Sequence, residues 1–232
     1  MFCPKCGNQL PDGAGAHVDS TDRIQPQDKI NSPENPNGWV YVSVEDPVDM
    51  KNKIDGMIGY FSAKSNELAA QPATLSAYKT DKVYVDATSY PADAVLYVDG
   101  DQVLALCGGA IAGGNFKIKL LEGQTLIFNF TEATEVELKQ YLIEYYDADK
   151  NLIKDGNSAP DTSGESDVNL VLERLMRQIV WNLNSVKNAT LNSTAGVFLN
   201  PNPDSETYVE STATGWVATA GYLKNDGEWH FP

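Results

Sequence analysis

From residue 39 onward, apolar and polar residues alternate in short runs that end at Gly, Asp, Asn or Pro. A period of two residues is that of a half-buried β-strand, so the runs predict strands separated by turns. Trp39-Val-Tyr-Val-Ser-Val44 and Lys82-Val-Tyr-Val85 are single strands of this kind. Ala94-Val-Leu-Tyr-Val98 and Gln102-Val-Leu-Ala-Leu106 flank Asp99-Gly100-Asp101 and read as a hairpin. Phe116 to Leu121 and Thr125 to Phe130 flank Glu122-Gly-Gln124 as a second, and Gln140 to Tyr146 and Asn151 to Lys154 flank Asp147-Ala-Asp-Lys150 as a third. Further strands are expected at Tyr208-Val209, Gly215 to Leu223 and Gly227 to Phe231. So many hairpins predict a mainly β (α+β) fold with an antiparallel β-sandwich-like body rather than a parallel nucleotide-binding sheet. No internal repeat is legible.

Two segments break this rhythm with a helical one. Asp46-Pro47 caps a helix whose apolar positions are Met50, Ile54, Met57, Ile58, Phe61 and Leu68, weakened by Gly56 and Gly59. A second helix opens at Ser166 or Asp167, with Val168, Leu172, Leu175, Met176, Ile179, Leu183 and Val186 on one face. An oligomerising coil would use such a stripe, but Asn182 lies in its seam, and packing on the neighbouring sheet is the favoured expectation. Polar, turn-rich stretches set the boundaries: an arm at 1–20, a linker at 21–37, a sandwich domain at 38–155, a second linker at 156–166, and a helix with strands at 167–232 packed on the same body.

The arm opens Met-Phe-Cys3-Pro-Lys-Cys6-Gly, two thiols two residues apart and a glycine that can close the turn. Over residues 1–20 this resembles the first half of a bacterial zinc ribbon, with His17 and Ser20 standing where the second cysteine pair would fall. The resemblance implies zinc held by Cys3, Cys6 and His17, with Asp19, Asp22, water or another chain as the fourth ligand. A decayed ribbon that binds nothing competes with this reading, and a redox pair is the least favoured.

Charge narrows the partners. Net charge is −15 at pH 7 and the only arginines are Arg23, Arg174 and Arg177, so no basic stripe exists for nucleic acid or an anionic membrane. Neither an export leader nor a membrane span is visible, which predicts synthesis in a reducing cytosol. Cys107 is isolated from Cys3 and Cys6, so no disulfide framework is expected.

Other candidate chemistry is thin. Asp147-x-Asp149-x-Asn151 opens like a calcium loop, but Leu152 and Ser158 stand where its glycine and glutamate belong, and a hairpin turn is the better reading. Gly108 to Gly114 lacks the lysine of a phosphate loop. His17 and His230 are the two histidines, and neither sits in a nucleophile motif, so no enzyme is expected. Trp216, Tyr222 and Trp229 are candidate ligand-binding aromatics for a glycan, weighed against core packing. These features lead to a non-enzymatic virion component, such as a phage head or tail decoration or fibre-type module, that assembles as a homo-oligomer or with other structural proteins. The alternative is a bacterial cytosolic zinc-ribbon protein whose sandwich binds a protein or glycan partner.

Overall fold

The computed structural model describes residues 16–18, 40–42, 47–158 and 174–230. The chain divides into two compact units, Met1–Asp55 and Gly56–Pro232. In the first, β1 (Ala16–Val18) pairs antiparallel with β2 (Val40–Val42), setting His17 opposite Tyr41. Helix α1 (Pro47–Ala69) begins where Pro47 supplies a helix-ready φ and no N–H, and Asp49 lies in its first turn.

The second unit is a parallel β-helix. Its first coil runs through β4 (Val83–Asp86), β5 (Val95–Asp99), α2 (Gly100–Leu106) and β6 (Ala110–Ile111). Its second runs through β7 (Phe116–Leu121), β8 (Thr125–Asn129) and β9 (Glu135–Leu138). The third uses β10 (Leu142–Tyr146), the returning strand β11 (Leu152–Asn157), β12 (Ile179–Asn182) and β13 (Asn188–Leu191). Later coils are two-sided: β14 (Ala195–Asn200) with β15 (Glu206–Val209), then β16 (Ala213–Thr219) with β17 (Tyr222–Asn225), then β18 (Trp229–His230). The coils stack into three sheets. The first has the order β11-β10-β7-β4-β3, with β3 (Tyr78–Lys79) antiparallel at its edge; the second is β18-β16-β14-β12-β8-β5 and the third β17-β15-β13-β9-β6. Every pairing in the second and third sheets is parallel.

This architecture overturns the antiparallel sandwich. The expected first hairpin does not exist, because the Asp99 carboxylate accepts the Gln102 N–H at 2.8 Å and caps α2, which occupies the second of its two expected strands. The second is a corner: β7 and β8 lie in different sheets, each paired with strands one coil away. Only the third expected hairpin forms, as β10–β11, with Lys150 at φ 66° in its turn. The expected second helix is also corrected. Residues 174–178 are helical, but Ile179 enters β12 and Asn188 enters β13, so Ile179, Leu183 and Val186 are buried in the coil interior rather than along one helical face. Repetition illegible in the sequence is plain in the register, where Val180, Val197 and Trp216 fall side by side.

Rings fill the interior. Trp181 is fully buried, stacked on Phe128 at 4.4 Å and edge-on to Tyr141 at 5.5 Å, and its indole N–H donates to Ala195 O at 3.0 Å. Corner polar groups are satisfied rather than stranded: Gln178 Nε2 donates to Leu121 O and Gln124 O, and Gln124 Nε2 donates to Ala87 O. Where β14 and β16 touch, Gly196 (φ +136°) and Gly215 (φ +121°) stack, and a Cβ on Gly215 would lie 2.0 Å from Gly196 O. The last turns of α1 are tied to the second sheet by amides: Asn182 Nδ2 donates to Ser65 O at 3.0 Å and Asn129 Nδ2 donates to Leu68 O at 2.7 Å.

Candidate binding face

In a parallel β-helix, side chains alternate between the interior and a flat outer face, and equivalent positions in successive coils line up in columns across the strands. The three outer faces of the second unit differ in what their columns leave available.

On the first sheet the charges are spent on one another. Glu144 accepts from Lys117, from Lys119 at 2.9 Å and from the Tyr146 hydroxyl at 2.7 Å, while Lys117 also reaches Asp155 at 3.2 Å. Burial alone would raise the Glu144 pKa, but these donors hold it down to about 2. Tyr84 stacks on Tyr78 at 5.5 Å and donates its hydroxyl to Asp81 at 3.0 Å. The second sheet aligns the mostly apolar column Tyr97, Ile127, Val180, Val197 and Trp216, in which Ile127 is buried and only Trp216 is exposed.

The third sheet is different. Its outer face carries two columns in register. One is Glu137, Thr190, Tyr208 and Lys224; the other is Glu135, Asn188, Glu206 and Tyr222. The first is partly engaged: Lys139 pairs with Glu137 at 2.9 Å, and Asp226 binds both Lys224 at 2.7 Å and the Tyr208 hydroxyl at 3.1 Å. Lys224 Nζ lies 4.1 Å from the centre of the Tyr208 ring, and its two donors lower the Asp226 pKa. In the second column all four side chains are exposed and none makes a hydrogen bond or ion pair with another described residue. Two carboxylates, an amide and a phenol thus face solvent in a straight row with their polar atoms available.

The three expected aromatics are not brought together. Trp216, 51 % exposed, lies on the outer face of the second sheet, and Tyr222, 63 % exposed, ends the open column of the third. Trp229 is partly buried, edge-on to Phe198 at 6.3 Å, and donates its indole N–H to Gly215 O at 3.0 Å, which makes it a packing residue. Sequence reasoning missed Glu135, Asn188 and Glu206. Each stands at an outward position of an alternating run, but only the register of the coils aligns them.

Other polar clusters are structural. A shallow cavity of about 360 Å³ is lined by Asp99, Asp101, Gln102, Thr131 and Glu132. The Asp101 carboxylate there is consumed by the backbone N–H groups of Thr131, Glu132 and Ala133 at 2.8–3.0 Å. Burial pushes the Cys107 thiol up to about 11, leaving it a poor nucleophile. Among the described residues, no group of three or more His, Cys, Asp or Glu side chains could hold a metal ion, and no helix is long and apolar enough to cross a membrane. Cys3, Cys6 and Asp19 lie outside the described residues, and of His17 only the backbone is described.

A family model for a putative ice-binding-like adhesive domain matches residues 7–231. The chain belongs to that family. No curated protein and no solved structure matches it. The match corrects two expectations. Because one adhesive-domain model runs from residue 7 nearly to the C-terminus, the chain is not a zinc-ribbon protein; a Cys-x-x-Cys-Gly opening is too short to carry a family alone. The same match points away from a phage virion, capsid or tail component, a reading that rested on composition and not on a motif. The family gives the general kind of function, that of an adhesive binding domain rather than an enzyme.

Proposed function

We propose that this adhesive domain attaches to a glycan-bearing surface through the outer face of its third sheet. The observation that carries the reading is the row Glu135, Asn188, Glu206 and Tyr222, whose polar groups are exposed and unengaged among the described residues, whereas the charges of the first sheet are tied to one another. Carboxylate and amide groups hydrogen-bond to hydroxyl-rich ligands from both sides of the donor–acceptor exchange, and a tyrosine ring offers a stacking face at low entropic cost. A protein partner would favour a fully desolvated apolar centre, and this row contains none. Ice is also a poor match, since carboxylates and the neighbouring Lys224 ammonium hold water too strongly to join an uncharged lattice.

The full chain should bind members of a printed glycan array. Substituting Glu135, Asn188, Glu206 and Tyr222 together by alanine should abolish that binding with the thermal melt nearly unchanged, because exposed substitutions shift stability by only about 0.5 kcal/mol each. Retained binding by the folded quadruple variant would refute the assignment of this face.

A further inference from the structure

We infer that the row accepts an extended, cationic amino-sugar chain lying across the strands, along the axis on which the coils stack. This rests on the reading of the third sheet as the adhesive face and adds the class and the direction of the ligand.

The direction follows from spacing. Adjacent strands are about 4.8 Å apart, close to the length of one sugar in an extended β-1,4-linked chain. Glu135, Asn188, Glu206 and Tyr222 occupy successive strands β9, β13, β15 and β17 at equivalent register positions. A chain laid along the row therefore meets one side chain per sugar. The ligand class follows from the order of charges. In a β-1,4 chain successive sugars are turned over, so a given substituent returns to the same side at every second residue. Glu135 and Glu206 are separated by one strand, that of Asn188, and so recur with that same two-unit period.

An ammonium on each sugar would meet a carboxylate at every second unit, Asn188 would hydrogen-bond the sugar between, and Tyr222 would stack on the last. No basic side chain stands in this row, and the net charge of the chain is −15, so uronate or sulfated chains are repelled. Along the row itself no strand can be added, because β9, β13 and β15 are paired on both sides and only the sheet's end strands β17 and β6 have an open edge.

The test uses the full chain and β-1,4-glucosamine oligomers of two to six sugars, with N-acetylglucosamine, cello- and uronate oligomers in parallel, by calorimetry. Glucosamine oligomers should bind best, gain affinity up to about four sugars and then level off, and lose affinity in high salt. Glu135→Gln and Glu206→Gln should each weaken the tetramer about two- to fivefold, the range of an exposed ion pair. Glu132→Gln, in the shallow cavity beside Asp101, should leave it unchanged. Equal affinity for uronate or neutral chains, or affinity independent of length, would overturn the inference. If no oligomer binds while the quadruple alanine variant still loses array binding, the amino-sugar inference falls and the adhesive face stands. If that variant keeps array binding, both fall.

Discussion

Asn182→Ala tests how helix α1 is held. Asn182 is fully buried, as is Ser65, and Asn129 is 7 % exposed. The Asn182 amide donates to Asn129 Oδ1 at 2.8 Å and to Ser65 O at 3.0 Å, and its own oxygen accepts from the Ser65 hydroxyl. Alanine removes all three bonds. Ser65 Oγ keeps the Asn184 amide at 3.0 Å, and Asn129 Nδ2 keeps Leu68 O, so the stranded groups are the Asn129 oxygen and the Ser65 hydroxyl proton. An unsatisfied buried polar group costs about 1–3 kcal/mol, and the vacated volume adds to that. We therefore expect a loss of about 2–6 kcal/mol, read as a lower urea midpoint at unchanged slope, with faster amide exchange concentrated in residues 56–69. A loss under about 0.5 kcal/mol, the scale of an ordinary surface change, would refute the view that this amide network anchors the helix.

Trp181→Ala should cost about 3–5 kcal/mol by chemical denaturation, chiefly through lost contact with Phe128 and Tyr141; Ala195 O is not orphaned, since the Tyr141 hydroxyl still donates to it at 2.7 Å. Gly215→Ala should cost at least about 3 kcal/mol or prevent soluble expression, because the φ of +121° and a contact of 2.0 Å with Gly196 O leave no room for a Cβ. Glu144 has a folded pKa near 2, below its ordinary 4.5, so its stabilising contribution is complete above pH 4.5 and is lost as pH falls toward 2. Glu144→Gln should flatten that part of the acid limb of a stability–pH curve, and an unchanged limb would show that the Lys117 and Lys119 contacts contribute little.

Strand positions were legible in the sequence, but strand partners were not. Phe116 to Leu121 alternates and Thr125 to Asn129 is a short apolar run, as strands are in either a sandwich or a β-helix, and Glu122-Gly123-Gln124 turns the chain in both. What separates the folds is whether β7 pairs with β8 or with β4 and β10, and no local pattern encodes that choice. The segment from Leu175 to Val186 misled for a related reason: a fully buried parallel strand loses its alternation, so its apolar run matched a helical period. Asn182, out of place in a helical seam, was the local sign of the true arrangement, since in β12 it sits opposite Asn129. The binding row was hidden in the same way, because Glu135 and Glu206 become neighbours of Asn188 only through coil stacking.

The most direct test of the adhesive face is solution NMR of the folded chain titrated with the tightest-binding glycan from the array. The account predicts amide and side-chain shifts centred on Glu135, Asn188, Glu206 and Tyr222, with little change at Lys117, Glu144 or Trp216. Shifts centred on the first sheet, or on Trp216 and the second sheet, with the third sheet silent, would contradict it.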